Sequence, residues 1–376
     1  MTLAVYSSKL KNRIRENHMS YANITGWGKA LPPAVLRNSD LATFLDTDDE
    51  WIVSRTGMKE RRISHVPVSE LAYVACAKAL ACAGKAAEDV EMIIFGGCTF
   101  DEIVPNAASN VQRLLGAENA ACMDLNTACT SGMYSLSVAT AMIKSGVVKN
   151  ALVIGAETIS PLLDWSNRNV AVLFGDGAAA LFLEEDENES GVIAESLGCY
   201  GNARDILVIG GWGCKYATSK RRIVDVDWHF KGQDIFKQAV QGMSHACQKV
   251  LEKTGVTPEQ IAWVIPHQAN LRIINTLAKR MKVPQDKVYI NIERYGNMSA
   301  ATALIALVEA LEEDKVSPDN LIMMPAFGGG LTWSSHLLKW GQRTTPLTTT
   351  DIEVPASEKT GLELVEEFRE KQKQID

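Results

Sequence analysis

Short, continuously apolar runs alternate with longer stretches of helical period along most of this chain. Residues 75–94 (ACAKALACAGKAAEDVEMII) read as a helix, a glycine stop at Gly84 and an apolar strand. Residues 246–265 (ACQKVLEKTGVTPEQIAWVI) repeat that order around Gly255. The two segments align without a gap: Ala75, Cys76, Lys78, Leu80, Gly84 and Glu88 fall on Ala246, Cys247, Lys249, Leu251, Gly255 and Glu259, an offset of 171. Residues 150–154 (NALVI) fall on 320–324 (NLIMM) at an offset of 170, and both read as buried strands. Two separated matches at nearly one offset predict a duplicated architecture; chance likeness between two ordinary helix–strand units is the alternative. Alternating helices and apolar strands predict an α/β fold, a mostly parallel sheet covered on both faces. The halves are placed at 1–190 and 191–345. Residues 346–376 form an extension in which a Thr/Pro-rich stretch precedes a helix carrying Leu362, Leu364, Val365 and Phe368 among charges. That helix has either the body or a partner to dock on.

Three turns carry candidate chemistry. MDLNTACTSG (123–132) ends a strand-like run, and the small and apolar residues up to Gly146 read as a buried helix starting just after Cys129. A thiol there meets the positive end of the helix dipole and unpaired N–H groups, both of which favour thiolate. A buried structural cysteine fits the same pattern. His267, in PHQANLR, follows the apolar strand at 261–265, the end at which parallel sheets bind ligands. Asn297, in YGNMSAAT, lies in a loop between a strand at 289–292 and a small-residue helix, roughly the turn that Cys129 occupies in the first half. Duplication would bring these turns to one pseudo-symmetric centre. The run Phe327-Gly328-Gly329-Gly330 is costly unless the backbone needs unusual angles or close approach, and it could offer an N–H to an oxyanion. Trp212, Cys214 and Tyr216 fit lid packing or acyl contacts; Asp176 reads as a turn residue, and His245 as packed or solvent-facing.

Composition narrows the function. The 376 residues carry 38 basic and 45 acidic side chains, a net charge of -7, which excludes a protein whose main ligand is a nucleic-acid backbone. No apolar run approaches the roughly 18 residues that span a bilayer. The charged start (Lys9, Lys11, Arg13, Arg15, Glu16) has no apolar region behind it, so a cytoplasmic location is expected. The 8 cysteines form no CxxC pair, which suggests neither a zinc site nor a disulfide framework.

Together TACTSG, PHQANLR, YGNMSAAT, FGDGAAA (174–180), AFGGGLTW (326–333) and DTDDEWIVSRTGMKERR (46–62) resemble the 3-oxoacyl-[acyl-carrier-protein] synthase III family of thiolase-fold condensing enzymes, in that family's order. The resemblance implies a homodimer whose subunit is an internally duplicated five-layer α-β-α-β-α sandwich. It implies an acyl-accepting nucleophile at Cys129, an extender-binding pair at His267 and Asn297, and an oxyanion hole from the N–H groups of Cys129 and Gly329. Trp51 and Arg168 match the residues that sandwich the adenine of coenzyme A, and Arg55 and Asn270 match further coenzyme A positions. Lys237, Arg272, Lys279 and Arg280 match a basic surface that receives the acidic carrier protein. The implied reaction joins an acyl-CoA primer to malonyl-carrier protein with loss of carbon dioxide and needs no cofactor or metal.

Val104 stands where relatives often have a phenylalanine that crosses the dimer into the partner's acyl pocket, so a medium or longer primer is expected. Gln233 replaces an asparagine near the pantetheine path, and the extension is additional. A specialised condensing enzyme or acyltransferase of secondary metabolism would share the Cys129 step. A papain-like hydrolase shares the order Cys, His, Asn, but duplicated α/β halves argue against it.

Overall fold

The computed structural model describes residues 20–211, 215 and 226–373; Trp212, Cys214, Tyr216 and the charged residues 9–16 lie outside the described residues. Nine strands form the main sheet: β1 (Tyr21–Ala30), β2 (Met92–Gly96), β3 (Ala121–Leu125), β4 (Asn150–Glu157), β5 (Gly177–Asp186), β6 (Gly191–Cys199), β7 (Trp263–Val264), β8 (Leu321–Gly328) and β9 (Thr332–Lys339). Their order is β7-β8-β9-β6-β1-β5-β4-β2-β3. The helices that matter for the site are α1 (Val68–Ala83), α2 (Ser131–Lys144), α3 (Gly232–Thr254), α4 (Leu271–Met281), α5 (Thr302–Glu312) and α6 (Gly361–Lys373).

The strand pairings occur twice. β1 runs antiparallel to β5 and β5 to β4, after which β4–β2 and β2–β3 are parallel. In the second set β6 runs antiparallel to β9 and β9 to β8, β8–β7 is parallel, and Val264 bridges Val288 in parallel. A single parallel pair, Ala22 with Gly191, joins the sets. These pairings correct two expectations: the four longest are antiparallel, so the sheet is mixed and not mostly parallel, and the register moves the repeat. Ile93 faces Leu152 and Val264 faces Met323, so the strands repeat at 171, not at the 170 of the NALVI/NLIMM alignment. The one-residue difference matters because a slip of one turns every side chain to the opposite face of the sheet.

Alternation along the strands sorts the core into layers. Ile93, Phe95, Leu152 and Ile154 face α1, with Leu71, Ala75 and Ala79. Their neighbours Ile94 and Val153 turn the other way, onto Leu136 and Ile143 of α2 and Leu304 and Leu307 of α5, which also meet Ile322, Met324 and Leu338 of the second set. On the far side Met323 and Leu337 pack against Val240, Met243 and Cys247 of α3 and Ile274 and Leu277 of α4. The result is helix, sheet, a central helix pair, sheet and helix. A helix sandwiched between sheet layers is covered on all sides, so Thr302 through Leu311 of α5 are all buried, and the one charge among them, Glu309, is paired with Lys29 and Arg294.

The extension docks on its own body. The N–H of Leu347 donates to Cys82 O at 3.0 Å, and Leu364 and Val365 of α6 are buried among Leu36, Ile63 and Trp165. Gln372 Nε2 donates to Leu163 O at 2.8 Å. Asp176 is a clamp, accepting from the N–H groups of Ser64, Ile159 and Ser160 and from Ser160 Oγ, while burial lifts its carboxyl to about 6. His245 meets the edge of Trp333, ring centres 5.3 Å apart. Asp101 accepts from Val68 N at 2.9 Å and so tethers the loop from which Ile103 and Val104 project, 75% and 82% exposed.

Candidate active site

The duplication reaches the atoms of the turns. After β3, the Asn126 side-chain oxygen accepts from Ala128 N at 3.1 Å, Ala128 takes φ 51°, and a short turn leads into α2. In the second set Asn297 Oδ1 accepts from Ser299 N at 2.8 Å, Ser299 takes φ 46°, and a like turn leads into α5. Ser131 Oγ reaches back to Ala128 O at 2.7 Å, and Thr302 Oγ1 lies 3.1 Å from Ser299 O. Asn297 thus corresponds to Asn126, while Cys129 falls on Ala300. The two turns meet directly: Ser299 Oγ lies 3.4 Å from Cys129 Sγ.

The glycine turn after β8 closes on the same cysteine. A Cβ at Gly328 would stand 2.8 Å from the backbone nitrogen of Cys129, and Gly330 adopts φ 132°, so the run serves both close approach and unusual backbone. Thr332 Oγ1 ties it to Thr127 O at 3.0 Å and to Thr130 Oγ1 at 2.7 Å. The thiol itself is not the ready thiolate that a helix N-terminus favours. Burial pushes Cys129 up to about 11, and the nearby Glu157 carboxylate pushes the same way. The Ser299 hydroxyl and the N–H groups of Cys129 and Gly329 pull against it. Desolvation of a charge in a dry site outweighs those donors.

His267 follows β7 and is fixed by its N–H to Pro325 O at 2.9 Å. It is buried, which lowers its imidazole to about 3 and keeps it neutral. Its Nδ1 lies 2.5 Å from Thr302 Oγ1. Asn297 is held on both sides: its N–H donates to Leu173 O at 2.9 Å and its carbonyl accepts from Gly175 N at 3.1 Å. With Oδ1 occupied by Ser299 N, its Nδ2 is the group left for a ligand. Cys129, His267 and Asn297 line one cavity of about 820 Å³, with Phe327, Gly328 and Met243 beside them.

Trp51, Arg55, Arg168, Asn270, Arg272 and Lys237 line the same cavity. The guanidinium groups of Arg55 and Arg168 lie over the Trp51 ring at 4.5 and 4.9 Å. Asn270 caps α4, accepting from Arg272 N at 2.9 Å and donating to Arg55 O at 3.0 Å, so both ends of its amide are engaged by the protein. Lys279 and Arg280 are exposed in the last turn of α4. Gln233 lines the cavity, whereas Val104 does not. Among the described residues, no group of three or more His, Cys, Asp or Glu could hold a metal ion, and no helix is long and apolar enough to cross a membrane.

Sequence reasoning missed Glu157, Ser299 and Thr302. Each had a signal. Ser299 and Thr302 stand 171 residues after Ala128 and Ser131, and Glu157 is the acid ending the apolar run NALVIGAE.

The sequence pattern of 3-oxoacyl-[acyl-carrier-protein (ACP)] synthase III matches residues 123–201, and that of its C-terminal region matches residues 251–340. The chain is 49% identical over 350 residues to beta-ketoacyl-[acyl-carrier-protein] synthase III 2 of Vibrio cholerae, covering 92% of this chain and 95% of that protein. The crystal structure of 3-oxoacyl-[acyl-carrier-protein] synthase III from Aquifex aeolicus superposes with a TM-score of 0.79 at 42% identity, covering 85% of this chain and 100% of that one. The corresponding Pseudomonas aeruginosa structure gives 0.81 at 35% identity, covering 86% and 99%. With a duplicated five-layer sandwich and sequence likeness across most of its length, the chain belongs to the 3-oxoacyl-[acyl-carrier-protein] synthase III family of thiolase-fold condensing enzymes.

Proposed function

We propose that this chain primes fatty-acid synthesis, joining the acyl group of an acyl-CoA to a malonyl unit on acyl-carrier protein with loss of carbon dioxide. The observation that carries the reading is the convergence of Cys129, His267 and Asn297 on one cavity, with the backbone donors of Cys129 and Gly329 at the sulfur. Cys129, once deprotonated, attacks the thioester carbonyl, and the two N–H groups hold the oxyanion; losing one such donor costs about a hundredfold or more in rate. Coenzyme A leaves and the acyl group stays on sulfur. When malonyl thioester loses carbon dioxide, the electron pair of the broken C–C bond becomes an enolate. Its oxygen takes hydrogen bonds from Asn297 Nδ2 and His267 Nε2–H. With the Thr302 hydroxyl proton turned from Ser299 O to Nδ1, 2.5 Å away, the ring proton sits on Nε2, and burial keeps the ring neutral. The enolate carbon attacks the acyl-cysteine, and collapse of the adduct returns Cys129 as thiolate. Side chains and backbone supply every step, so no metal or redox cofactor takes part.

Further parts of this reading concern assembly. The chain divides near residue 190 into a half carrying the nucleophile and a half, to about 345, carrying the His/Asn pair, with 346–376 appended. Two copies pair, and the projecting Ile103–Val104 tip inserts toward the partner's acyl pocket, which supports the dimer because exposed apolar side chains of that size call for cover. The enzyme works in the cytoplasm, where its thioester substrates are. The deciding experiment supplies malonyl-carrier protein with acetyl-CoA or octanoyl-CoA and analyses products. Carbon dioxide and a 3-oxoacyl-carrier protein are expected, with octanoyl-CoA the better primer because Val104 is small; acyl transfer without carbon dioxide would remove the condensation, and a preference for acetyl-CoA would remove the primer assignment.

Lys237, Arg272, Lys279 and Arg280 form the carrier-protein contact: all four are exposed on α3 and α4, and Lys237 and Arg272 line the cavity. Replacing Lys279 and Arg280 together by glutamate is expected to raise KM for malonyl-carrier protein about tenfold at low salt, with a shallower rise of KM with salt than in the wild type and unchanged loading from acyl-CoA. Equal losses in both half-reactions, measured separately, would move the docking surface elsewhere.

A further inference from the structure

Glu157 ends β4 fully buried, yet among the described residues it has no ion-pair partner. Its carboxylate instead gathers donors: Cys98 N at 3.2 and 3.1 Å, Cys98 Sγ at 3.3 Å, Thr99 N at 3.0 Å and Thr99 Oγ1 at 2.5 Å. The remaining contact is Ser299 Oγ, 2.9 Å from Oε1. That hydroxyl is also the one 3.4 Å from Cys129 Sγ, so one serine spans the thiol and the carboxylate. Ser299 is 2% exposed and held with φ 46°, a left-handed conformation that costs a non-glycine residue energy and persists only where its surroundings enforce it.

The condensation proposed above leaves one proton without a destination. Cys129 must lose its proton before it can attack, and burial favours the neutral thiol. His267 is a poor acceptor, since burial lowers it to about 3 and its Nε2 proton is needed for the enolate. The titratable groups facing Cys129 are then Glu157, Cys98 and His267, and the Cys98 thiol is itself held well above its ordinary value by burial.

We propose that Ser299 and Glu157 form a proton relay for Cys129, with Glu157 holding the thiol proton during acyl loading. The inference rests on the acyl-cysteine reading. As the sulfur attacks the acyl-CoA carbonyl, its S–H bond breaks and the proton passes to Ser299 Oγ, while the Ser299 proton passes to Glu157 Oε1. The S–H electron pair forms the new S–C bond. When the C–S bond to coenzyme A breaks, its electrons leave on the departing sulfur, and the proton returns from Glu157 through Ser299 to that sulfur. Acyl-cysteine, free coenzyme A and the original carboxylate result. The cluster keeps a single negative charge throughout, so no new charge has to be desolvated. Burial supports this assignment by raising the Glu157 carboxyl from its ordinary value, against the pull of its hydrogen-bond donors.

The test measures single-turnover acyl loading and iodoacetamide alkylation against pH in wild type, Glu157→Gln and Ser299→Ala. Alanine fits that turn, because Ala128 holds φ 51° at the equivalent position, so the second variant remains informative if the first fails to fold. The relay predicts both reactions slowed about a hundredfold near pH 7, with the deficit closing as pH rises and solvent base takes over. A purely electrostatic role predicts the opposite sign for Glu157→Gln, since removing a negative neighbour makes the thiol easier to ionise. Wild-type or faster rates in either folded variant, or a loss that is constant with pH, would overturn the relay. Failure of the wild type to load acyl groups would instead refute the acyl-cysteine reading, while the alkylation profiles would still decide the relay.

Discussion

Replacing Cys129 by alanine is expected to leave the protein's intact mass unchanged after incubation with any acyl-CoA, and to lower condensation by on the order of 10⁴-fold or more. No other described cysteine combines its features. Cys76, Cys82 and Cys247 are buried, and burial raises each thiol above its ordinary value. Cys98 is near, but its sulfur donates to Glu157, a carboxylate that opposes its ionisation. Only Cys129 has the backbone N–H of Gly329 and a helix N-terminus behind it. Because Thr130 and Ser131 anchor the turn independently of the thiol, the alanine variant should fold normally and keep its substrate cavity. An acyl adduct persisting on the variant, located by peptide mapping, would place the nucleophile elsewhere.

The second large effect separates the two half-reactions. In His267→Ala, which leaves the Asn297–Ser299 bond in place, the acyl-cysteine should form at close to the wild-type rate, while carbon dioxide release from malonyl-carrier protein falls about 10²- to 10³-fold, the loss typical of removing one preorganised donor to a developing oxyanion. Asn297→Ala should lose that step to a similar degree and slow loading as well, because its Oδ1 also positions Ser299. Loss of loading in step with loss of decarboxylation in His267→Ala would mean that this residue acts on Cys129 and not on the extender. The pH dependence is a further discriminator. His267 is lowered from its ordinary value to about 3, so the neutral ring is present above roughly pH 4 and is lost only as pH falls through the folded value. Decarboxylation by preloaded enzyme should therefore be flat from pH 5.5 to 8. An acidic limb centred near the unperturbed imidazole value would show that the ring is solvated in the working state.

The polar groups of the site share partners. Oδ1 of Asn297 is consumed by Ser299 N, and Thr302 touches both His267 Nδ1 and the Ser299 carbonyl. One short turn consequently orients the enolate donors and presents the hydroxyl that reaches Cys129. Such coupled polar groups in a dry site do not contribute additively.

Much of this was legible in the chain itself, for reasons that differ by element. The helix, glycine and strand units at 75–94 and 246–265 are local patterns: periodicity, a left-handed stop at Gly84 and Gly255, and an apolar strand. They could be read without coordinates because each is set by residues close in sequence. The glycine run was readable for a similar reason, since only a backbone constraint explains it. The strand register was not, because NALVI and NLIMM look alike at an offset of 170, and only the cross-strand partners fix it at 171. The docking of α6 on Leu36 and Trp165 was likewise open, since its apolar face has no partner written beside it.

The sequence by itself determined the duplication, the layered α/β class and the identity of Cys129, His267 and Asn297 as candidates, because these follow from periodicity and from short motifs. Tertiary structure alone decided the protonation of those groups and the place of Glu157 and Ser299. Charge state depends on solvent exclusion, and contact between residues 129, 157 and 299 depends on the two strand sets of the sheet closing over a buried helix pair. Neither quantity is encoded within a few residues of any of them.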